Sequence, residues 1–342
     1  MKILIVGSDY TWSIEKFFLK YLGEKAACEV SLFPAQNILY SYLAKGAFNK
    51  IKHRIKFSSI YSKINEQLVE KIKETKPDVM WVFKGMEVTP ETLMFAKAQG
   101  IKLVNYNPDN PFIFTGRGSG NKNVTDSIAI FDQYLTYSMD IMEELKTIKV
   151  NSRLLPFAYE IPVHISFEKL SEIEEDNRVC FIGNPDNDRA KIIQALLKAG
   201  IEVVIYGNDW HKFTSHPNAV LNQPVYGDDL WYTLRKYRVQ LNMLRKHNLT
   251  SHNMRSFEIP GVGGIQLAPY TKEHAVFFNT DENIFLYNNT EEAVQKIKTL
   301  LNLTKPEADK IRHSAYNSCV EQGYTYKGRA SEVHNIFQEL LS

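Results

Sequence analysis

Cysteine is scarce in this sequence. Three of the 342 residues are cysteines, Cys28, Cys180 and Cys319, and they lie far apart along the chain. No C-x-x-C pair and no cluster of cysteine and histidine has the spacing of a zinc site. We therefore expect free thiols in a reducing compartment, without a disulfide scaffold or a structural metal.

Long apolar runs and an excess of charge of one sign are also absent. The longest apolar runs are about as long as residues 79–83, which is far shorter than the roughly 20 residues that a helix needs to cross a bilayer. The apolar run at residues 2–6 is too short for a signal peptide, so we expect a cytoplasmic protein. Lys+Arg 41 against Asp+Glu 39 leaves a net charge of +2, which argues against a nucleic-acid partner.

The glycine-rich loops of common nucleotide enzymes are missing too. Neither residues 7–12 nor residues 183–189 supply the three glycines of G-x-G-x-x-G, and no Walker lysine motif occurs. Hydride transfer on a bound dinucleotide and phosphoryl transfer on a P-loop are therefore disfavoured.

Short apolar runs alternate with helical patterns along the whole chain. Residues 2–6, 79–83 and 101–106 are typical of buried strands, and helical patterns separate them. The alternation is interrupted at residues 154–176 and begins again near residue 178. This pattern predicts an α/β fold with two Rossmann-like domains that face each other across a cleft.

We place the domain boundary near residue 165. The first domain then comprises residues 1–165, and the second comprises residues 166–324. A final helix at about 325–342 has no strand after it, so we expect it to pack back on the first domain.

The loop after the first strand of the second domain is a candidate phosphate site. It contains Gly183 and Asn184, and Arg189 follows in the first turn of the predicted helix. Free backbone N–H groups and the helix dipole attract phosphate there, and arginine can hold it with two hydrogen bonds. The alternative is a capped helix with a solvated arginine.

The densest cluster of polar residues lies further along the second domain. Arg255 and Glu258 are three residues apart and can form an ion pair along a helix. Alternatively, Arg255 binds a diphosphate near Asn253, and the Glu258 carboxylate accepts hydrogen bonds from two ribose hydroxyls. Gly263 and Gly264 would let the backbone approach such a ligand closely.

Several spaced motifs in this half of the chain occur together. They are Phe181-Ile182-Gly183-Asn184, Arg189, Tyr206-Gly207-Asn208-Asp209-Trp210, Val239-Gln240-Leu241-Asn242 and Asn253-x-Arg255-x-x-Glu258-Ile259-Pro260-x-x-Gly263-Gly264. In these motifs, residues 178–340 resemble the CgeB-like glycosyltransferases, enzymes of the GT-B fold related to the retaining family 4 transferases.

The resemblance implies a function for each domain. The second domain would bind a nucleotide-sugar donor, with Glu258 on the ribose and Arg189, Asn253 and Arg255 near the diphosphate. The first domain would receive a glycan, lipid-linked or protein acceptor. Retaining relatives carry two glutamates eight positions apart, and Thr250 stands where the first would be, so the stereochemical outcome is left open.

There are two catalytic candidates, Asp109 in the first domain and Arg255 in the second. It lies in a loop between Pro108 and Pro111. One interpretation is a proline turn with a capping aspartate. The other is an acid that orients or deprotonates the acceptor hydroxyl. Gly7 and Ser8, after the first strand, would line the same crevice.

Other polar residues leave further alternatives open. Residues 45–63 are basic with interleaved aromatics, which suits either a solvated helical face or an anionic membrane surface. His247 and His252 are either solvated or in contact with phosphate or sugar.

The sequence as a whole predicts a glycosyltransferase of cell-surface or other glycan synthesis that needs no cofactor. No Asp-x-Asp motif stands in a suitable loop, so we expect activity without a metal. The alternatives are a nucleotide-sugar epimerase and a non-catalytic protein that binds nucleotide-sugars or glycans.

Overall fold

The structure is a computed structural model that describes residues 1–54, 59–114, 116 and 118–342. These residues form two compact units, Met1–Pro156 with Tyr326–Ser342, and Phe157–Thr325. The division therefore lies earlier than the boundary expected near residue 165. The reason is that residues 157–165 pack within the second unit, where Tyr159 N–H donates to Tyr324 O at 3.1 Å.

The first unit is built on a parallel sheet. Its described residues form six strands in the order β2-β1-β3-β4-β5-β6. The strands are β1 (Lys2–Val6), β2 (Glu29–Phe33), β3 (Val79–Phe83), β4 (Lys102–Asn107), β5 (Gln133–Thr136) and β6 (Ser152–Leu154). The helices before β6 are α1 (Ile14–Gly23), α2 (Ala35–Ala44), α3 (Ala47–Arg54), α4 (Ile60–Thr75), α5 (Pro90–Ala98), α6 (Lys122–Ser127) and α7 (Met139–Thr147).

The second unit repeats this architecture. Its described strands are all parallel, in the order β12-β11-β10-β7-β8-β9. They are β7 (Asp176–Ile182), β8 (Val203–Tyr206), β9 (Ala219–Asn222), β10 (Tyr237–Leu241), β11 (Gln266–Pro269) and β12 (Phe285–Tyr287). The helices are α8 (Phe167–Ser171), α9 (Asn187–Lys198), α10 (Asp228–Lys236), α11 (Arg255–Gly261), α12 (Lys272–Phe277), α13 (Thr290–Leu301) and α14 (Lys305–Glu321).

The last helix, α15 (Tyr326–Leu341), belongs to the first unit. The ring of Tyr326 stacks on Phe17 of α1 with the centroids 4.8 Å apart, and Phe337 meets the edge of Trp81 at 5.4 Å. The expected packing of the final helix on the first domain is thus confirmed. None of the helices in the described part of the chain has the length and apolar character that a membrane span requires.

Each sheet has one point where the strand order reverses. In the first sheet this point lies between β1 and β3, and in the second it lies between β7 and β10. Loops that follow neighbouring parallel strands diverge there and leave a crevice at the carboxyl ends, which is where ligands bind in open α/β sheets. The residues after β1, β3, β7 and β10 are therefore the ones that lie beside the two crevices.

Candidate functional sites at the carboxyl ends of the two sheets

The loops after β7 and β8 pack backbone against backbone. A Cβ atom on Gly207 would lie 2.3 Å from the carbonyl oxygen of Gly183, so only glycine fits at position 207. Asn184 Oδ1 accepts a hydrogen bond from Asn208 N at 2.9 Å, and Trp210 Nε1 donates to Gly183 O at 2.7 Å. The glycine and the asparagine after β7 are thus held rigidly.

Arg189 ties this loop to the loop after β10. Its guanidinium donates to Asn184 O at 3.0 Å and to Met243 O at 2.7 Å, and the residue is 8% exposed. The helix N-terminus is capped by Asp186, whose Oδ1 accepts from the backbone nitrogens of Asp188 and Arg189. Burial, above all, lowers the pKa of Arg189 to about 10, so the side chain stays charged at neutral pH.

Arg255 and Glu258 form the ion pair that their spacing allows. The pair joins Arg255 Nη1 to Glu258 Oε2 on consecutive turns of α11. Glu258 is buried, whereas the side chain of Arg255 is about one quarter exposed, at 27%. The structure therefore contains the ion pair, which is the simpler of the two interpretations.

Asn253 belongs to a buried network that sequence reasoning missed. Its Nδ2 donates to Asn242 Oδ1 at 2.9 Å, and Asn242 Nδ2 donates to Ser256 Oγ at 3.1 Å. Burial lowers the pKa of His274 to about 4, so the ring is neutral. Its Nδ1–H donates to Pro269 O, which leaves Nε2 to accept from the Ser256 hydroxyl at 2.8 Å. No local sequence signal identifies His274, because the contact spans 18 residues.

Three of the predicted donor residues line one cavity. Arg189, Asn253 and Arg255 surround a space of about 30 Å³ together with Asn242 and neighbouring apolar side chains. That volume holds about one water molecule. The Nε–H groups of both arginines have no hydrogen-bond acceptor among the described residues. Arg189 Nε lies 3.6 Å from Asp186 Oδ2, and Arg255 is paired with Glu258, so each arginine of the cavity wall has a carboxylate beside it.

Gly263 and Gly264 lie elsewhere. Both precede β11 and are buried at the amino end of that strand, whereas Gly183 and Asn184 follow the carboxyl end of β7. A Cβ on Gly263, where φ is +69°, would lie 2.7 Å from the Phe167 ring, and one on Gly264 would lie 2.8 Å from Ile259. Protein atoms surround these glycines, so we assign them to packing rather than to ligand approach.

His252 is neither solvated nor open to a ligand. It is fully buried, and its Nε2 accepts the backbone N–H of Phe157 at 3.1 Å. Its Nδ1 therefore carries the proton and faces the carboxylate of Glu273. The side chain of His247 lies outside the described residues.

In the first unit, Asp109 is engaged in an ion pair. Its carboxylate lies 2.5 Å from Lys84 Nζ, which follows β3, and its backbone N–H donates to Asn107 Oδ1 at 3.0 Å. The same ammonium donates to Gly118 O at 2.6 Å. Asp109 thus lies in a turn, as one interpretation expects, but Asn107 supplies the capping side chain, and the Asp109 carboxylate is held by Lys84.

Gly7 and Ser8 make room for a buried acid. Ser8 N–H donates to Glu15 Oε1 at 2.9 Å, and a Cβ on Gly7 would lie 2.6 Å from that oxygen. Burial raises the pKa of Glu15. Glycine at position 7 is therefore explained by the carboxylate beside it.

Glu87 is a second buried acid at this edge, and sequence reasoning missed it. It is 5% exposed, and no salt bridge to its carboxylate is formed within the described residues. Burial raises its pKa to about 7. The sequence signal that could have identified Glu87 is its position. It lies four residues after the fully buried strand β3 and just before the helix start at Thr89-Pro90.

The basic segment at residues 45–63 is described in part. Residues 55–58 lie outside the described residues. In α3, Phe48 is 67% exposed and Ile51 is 57% exposed, and Lys52 Nζ lies 4.4 Å from the centroid of the Phe48 ring. Basic and apolar groups thus share this exposed helix, and contact with a membrane stays a prediction.

Residues 189–335 match the model of a family described as glycosyl transferase-like. No curated protein sequence matches the chain significantly. A glycosyltransferase from Rickettsia africae superposes with a TM-score of 0.66 at 11% identity, over 100% of this chain and 98% of that one. The UDP-GlcNAc 2-epimerase of Neisseria meningitidis bound to UDP-GlcNAc gives 0.58 at 13%, over 99% and 100%. Anabaena HepE in complex with UDP and glucose gives 0.63 at 11%, over 99% and 100%.

The chain has the GT-B fold. The match to the family model begins at Arg189 and includes Asn253, Arg255 and Glu258. Both the transferases and the epimerases among these structures have the GT-B fold. The fold therefore does not distinguish a transfer reaction from an epimerisation, and the side chains of the site must do so.

The buried acid Glu87 predicts a pH-dependent stability. Its pKa rises from the ordinary 4.5 to about 7 in the folded chain. The folded state therefore holds this proton more tightly, and the stabilisation is lost as the pH rises through 7. Relative to Glu87→Gln, the wild type should lose about 2 to 3 kcal/mol of unfolding free energy between roughly pH 5 and pH 8.

Urea unfolding of both proteins at the two pH values measures this difference. Glu66→Gln, which removes an exposed acid of α4, is the matched control and should follow the wild type. Parallel pH dependence of wild type and Glu87→Gln would contradict the burial of an ionisable Glu87.

Proposed function

We propose that the chain is a glycosyltransferase that moves a sugar from a nucleoside-diphosphate sugar to an acceptor hydroxyl in cell-surface or other glycan synthesis. One observation carries this proposal. Arg189, Asn253 and Arg255 surround a single cavity at the strand-order reversal of the second sheet, inside the segment that matches a glycosyl transferase-like family.

The electrostatics of this cavity suit the leaving group. When the bond between the sugar and the diphosphate breaks, negative charge grows on the phosphate oxygens. Arg189 and Arg255 bring two cationic guanidiniums to its wall, and a buried cation stabilises negative charge more strongly than one in water. The amino end of α9 adds the positive end of its dipole.

In this proposal the Arg255–Glu258 ion pair opens when the donor binds. A diphosphate would take over the guanidinium, and Glu258 would then accept hydrogen bonds from the two ribose hydroxyls. HepE and the epimerase were solved with UDP and UDP-GlcNAc, respectively, which supports a uridine nucleotide as the first ligand to test.

The remaining parts of the proposal come from the sequence. The second domain holds the donor, and the first holds a glycan, lipid-linked or protein acceptor. The enzyme is of the CgeB-like type, works in the cytoplasm, and contacts the membrane surface through residues 45–63.

A nucleotide-sugar epimerase is the second candidate, because an epimerase superposes on the whole chain as a transferase does, with TM-scores of 0.58 and 0.66 respectively. Incubation with UDP-sugars separates the two by product analysis. A transferase releases UDP in proportion to a glycosylated acceptor, whereas an epimerase converts the donor sugar without any acceptor. If UDP and UDP-sugars bind but neither product forms, the chain is a binding protein.

Replacement of Glu258 tests the donor site. Glu258→Ala should abolish most of the rise in melting temperature that UDP causes in the wild type, because a ligand stabilises only the state that binds it. The loss of two hydrogen bonds to a charged acceptor should weaken binding by about 100-fold or more, measured by calorimetry.

Glu321→Ala is the matched control, since it removes an exposed carboxylate of the same unit. It should bind UDP like the wild type. Unchanged UDP affinity in Glu258→Ala would refute the site assignment.

We also expect turnover without a metal ion. We propose that the arginines, rather than a metal ion, stabilise the negative charge on the leaving diphosphate. Excess EDTA should therefore leave the rate of UDP release within about twofold of the untreated rate. The measurement is UDP release after dialysis against EDTA, with magnesium added back as the control. Loss of activity that magnesium restores would contradict this expectation.

A further inference from the structure

Two asparagines belong to the wall of the cavity in the second unit. Asn242 follows β10, Asn253 precedes α11, and both line the cavity together with Arg189 and Arg255. An asparagine presents either a donor or an acceptor to a ligand, depending on which way its amide is turned. The hydrogen bonds behind the cavity wall therefore determine what a ligand meets there.

The amide of Asn253 is oriented by the backbone. Ser256 N–H donates to Asn253 Oδ1 at 3.1 Å, and a backbone N–H can only donate. The amide oxygen therefore faces the first turn of α11, and Nδ2 donates one hydrogen to Asn242 Oδ1 at 2.9 Å. Among the described residues Nδ2 makes no second hydrogen bond, and Asn253 is partly exposed. Its other N–H is thus available to a ligand of the cavity.

The orientation of Asn242 follows from that of Asn253. Because Asn242 Oδ1 accepts from Asn253, its Nδ2 is turned toward Ser256 and donates to Ser256 Oγ at 3.1 Å. The backbone nitrogen of Asn253 donates to the same Oγ at 3.2 Å. Ser256 Oγ accepts both of these hydrogen bonds, so its own hydroxyl proton needs an acceptor elsewhere.

His274 is that acceptor. Its Nε2 lies 2.8 Å from Ser256 Oγ, whereas the other available oxygen, Asn253 Oδ1, lies 3.3 Å away. His274 is fully buried, and its Nδ1–H donates to Pro269 O at 3.0 Å. The series of hydrogen bonds therefore begins at the backbone N–H of Ser256 and ends at the carbonyl of Pro269. Neither backbone group can exchange its role as donor or acceptor, so the whole series has one direction.

The residue before His274 holds the other end of the same loop. Glu273 is 1% exposed, and its carboxylate accepts from the Ser251 hydroxyl and from the Nδ1–H of His252. The N-cap of α12 is Thr271, whose Oγ1 accepts from His274 N at 3.0 Å. Two consecutive side chains of α12 thus hold the loop at residues 251–256, and a buried polar network with its partners in place is rigid.

We propose that His274 is a positioning residue of the donor site. By taking the hydroxyl proton of Ser256, it keeps Asn242 and Asn253 turned so that Asn253 presents an N–H, and not a carbonyl oxygen, to the diphosphate. This role rests on the proposed function. An N–H that is already aimed at the leaving phosphate oxygens stabilises their growing negative charge without reorganisation, whereas a carbonyl oxygen would repel it.

Ser256→Ala is the first test, because it removes the hydroxyl with little change in volume. Asn242 Nδ2 then loses its acceptor, and the orientation of Asn253 is no longer fixed. UDP affinity, measured by calorimetry, should fall about tenfold. The affinity for uridine, which has no phosphate, should stay within about twofold of the wild-type value in ligand-observed NMR. A general loosening of the site would weaken both ligands alike.

Two replacements of His274 separate its acceptor from its bulk. His274→Gln can place an amide oxygen near the position of Nε2, so it still accepts from Ser256. His274→Asn is too short to do so and keeps only a polar group near Nδ1. We expect His274→Gln to keep the wild-type preference for UDP over uridine, and His274→Asn to lower that preference about tenfold.

A double mutant tests whether His274 acts through Ser256. If it does, adding His274→Asn to Ser256→Ala should lower the preference for UDP by less than about a further twofold, since the two changes remove one interaction. Tyr324→Phe is the matched control. It removes a buried hydroxyl of the same unit, which donates to Phe277 O at 2.8 Å, and it should lower the melting temperature without changing the preference for UDP.

Two results would overturn the inference while the wild type binds UDP. One is an unchanged preference for UDP over uridine in both Ser256→Ala and His274→Asn. The other is a loss of UDP and uridine affinity by the same factor. A wild type that binds no UDP would instead refute the proposed donor site and this role together, so the two failures are told apart.

Discussion

Parallel pairing of the strands determines where chemistry can take place in this chain. Every strand pair in both sheets runs in one direction, so the strand ends that precede the helices meet at one edge of each sheet. The central strands β3 and β10 are buried throughout. Polar side chains therefore stand just beyond the strands, as Glu87 does after β3 and Asn242 does after β10.

The sequence predicts those features of the fold that depend on neighbouring residues along the chain. Buried five-residue apolar runs predict the strands, and Thr89-Pro90 predicts the start of α5. Arg189, Asn253 and Arg255 could be grouped because each follows the carboxyl end of a neighbouring strand. The burial of Glu87 and the network of His274 depend on contacts from distant segments, which no local pattern contains. The motif that suggests a ligand role for Gly263 and Gly264 gives their spacing along the chain but not the edge of the sheet at which they lie.

Burial shifts the pKa of one charged group beyond the strands of each unit. In the second unit, burial works against the charge of Arg189 and lowers its pKa, yet the group remains cationic at neutral pH. In the first unit, burial raises the pKa of Glu87 into the neutral range, so its charge is adjustable. Burial therefore lowers the pKa of the cation and raises the pKa of the acid, and only the acid changes its charge near neutral pH.

The return of α15 to the first unit makes the second unit an insertion within the first. The chain leaves the first unit after Pro156 and re-enters it at Tyr326. Tyr159 and Thr325 form a β-bridge, so the inserted segment begins and ends at one point. Residues 157–325 are therefore a self-contained segment with adjacent ends, whereas residues 1–156 alone would lack the helix that covers Phe17 and Trp81.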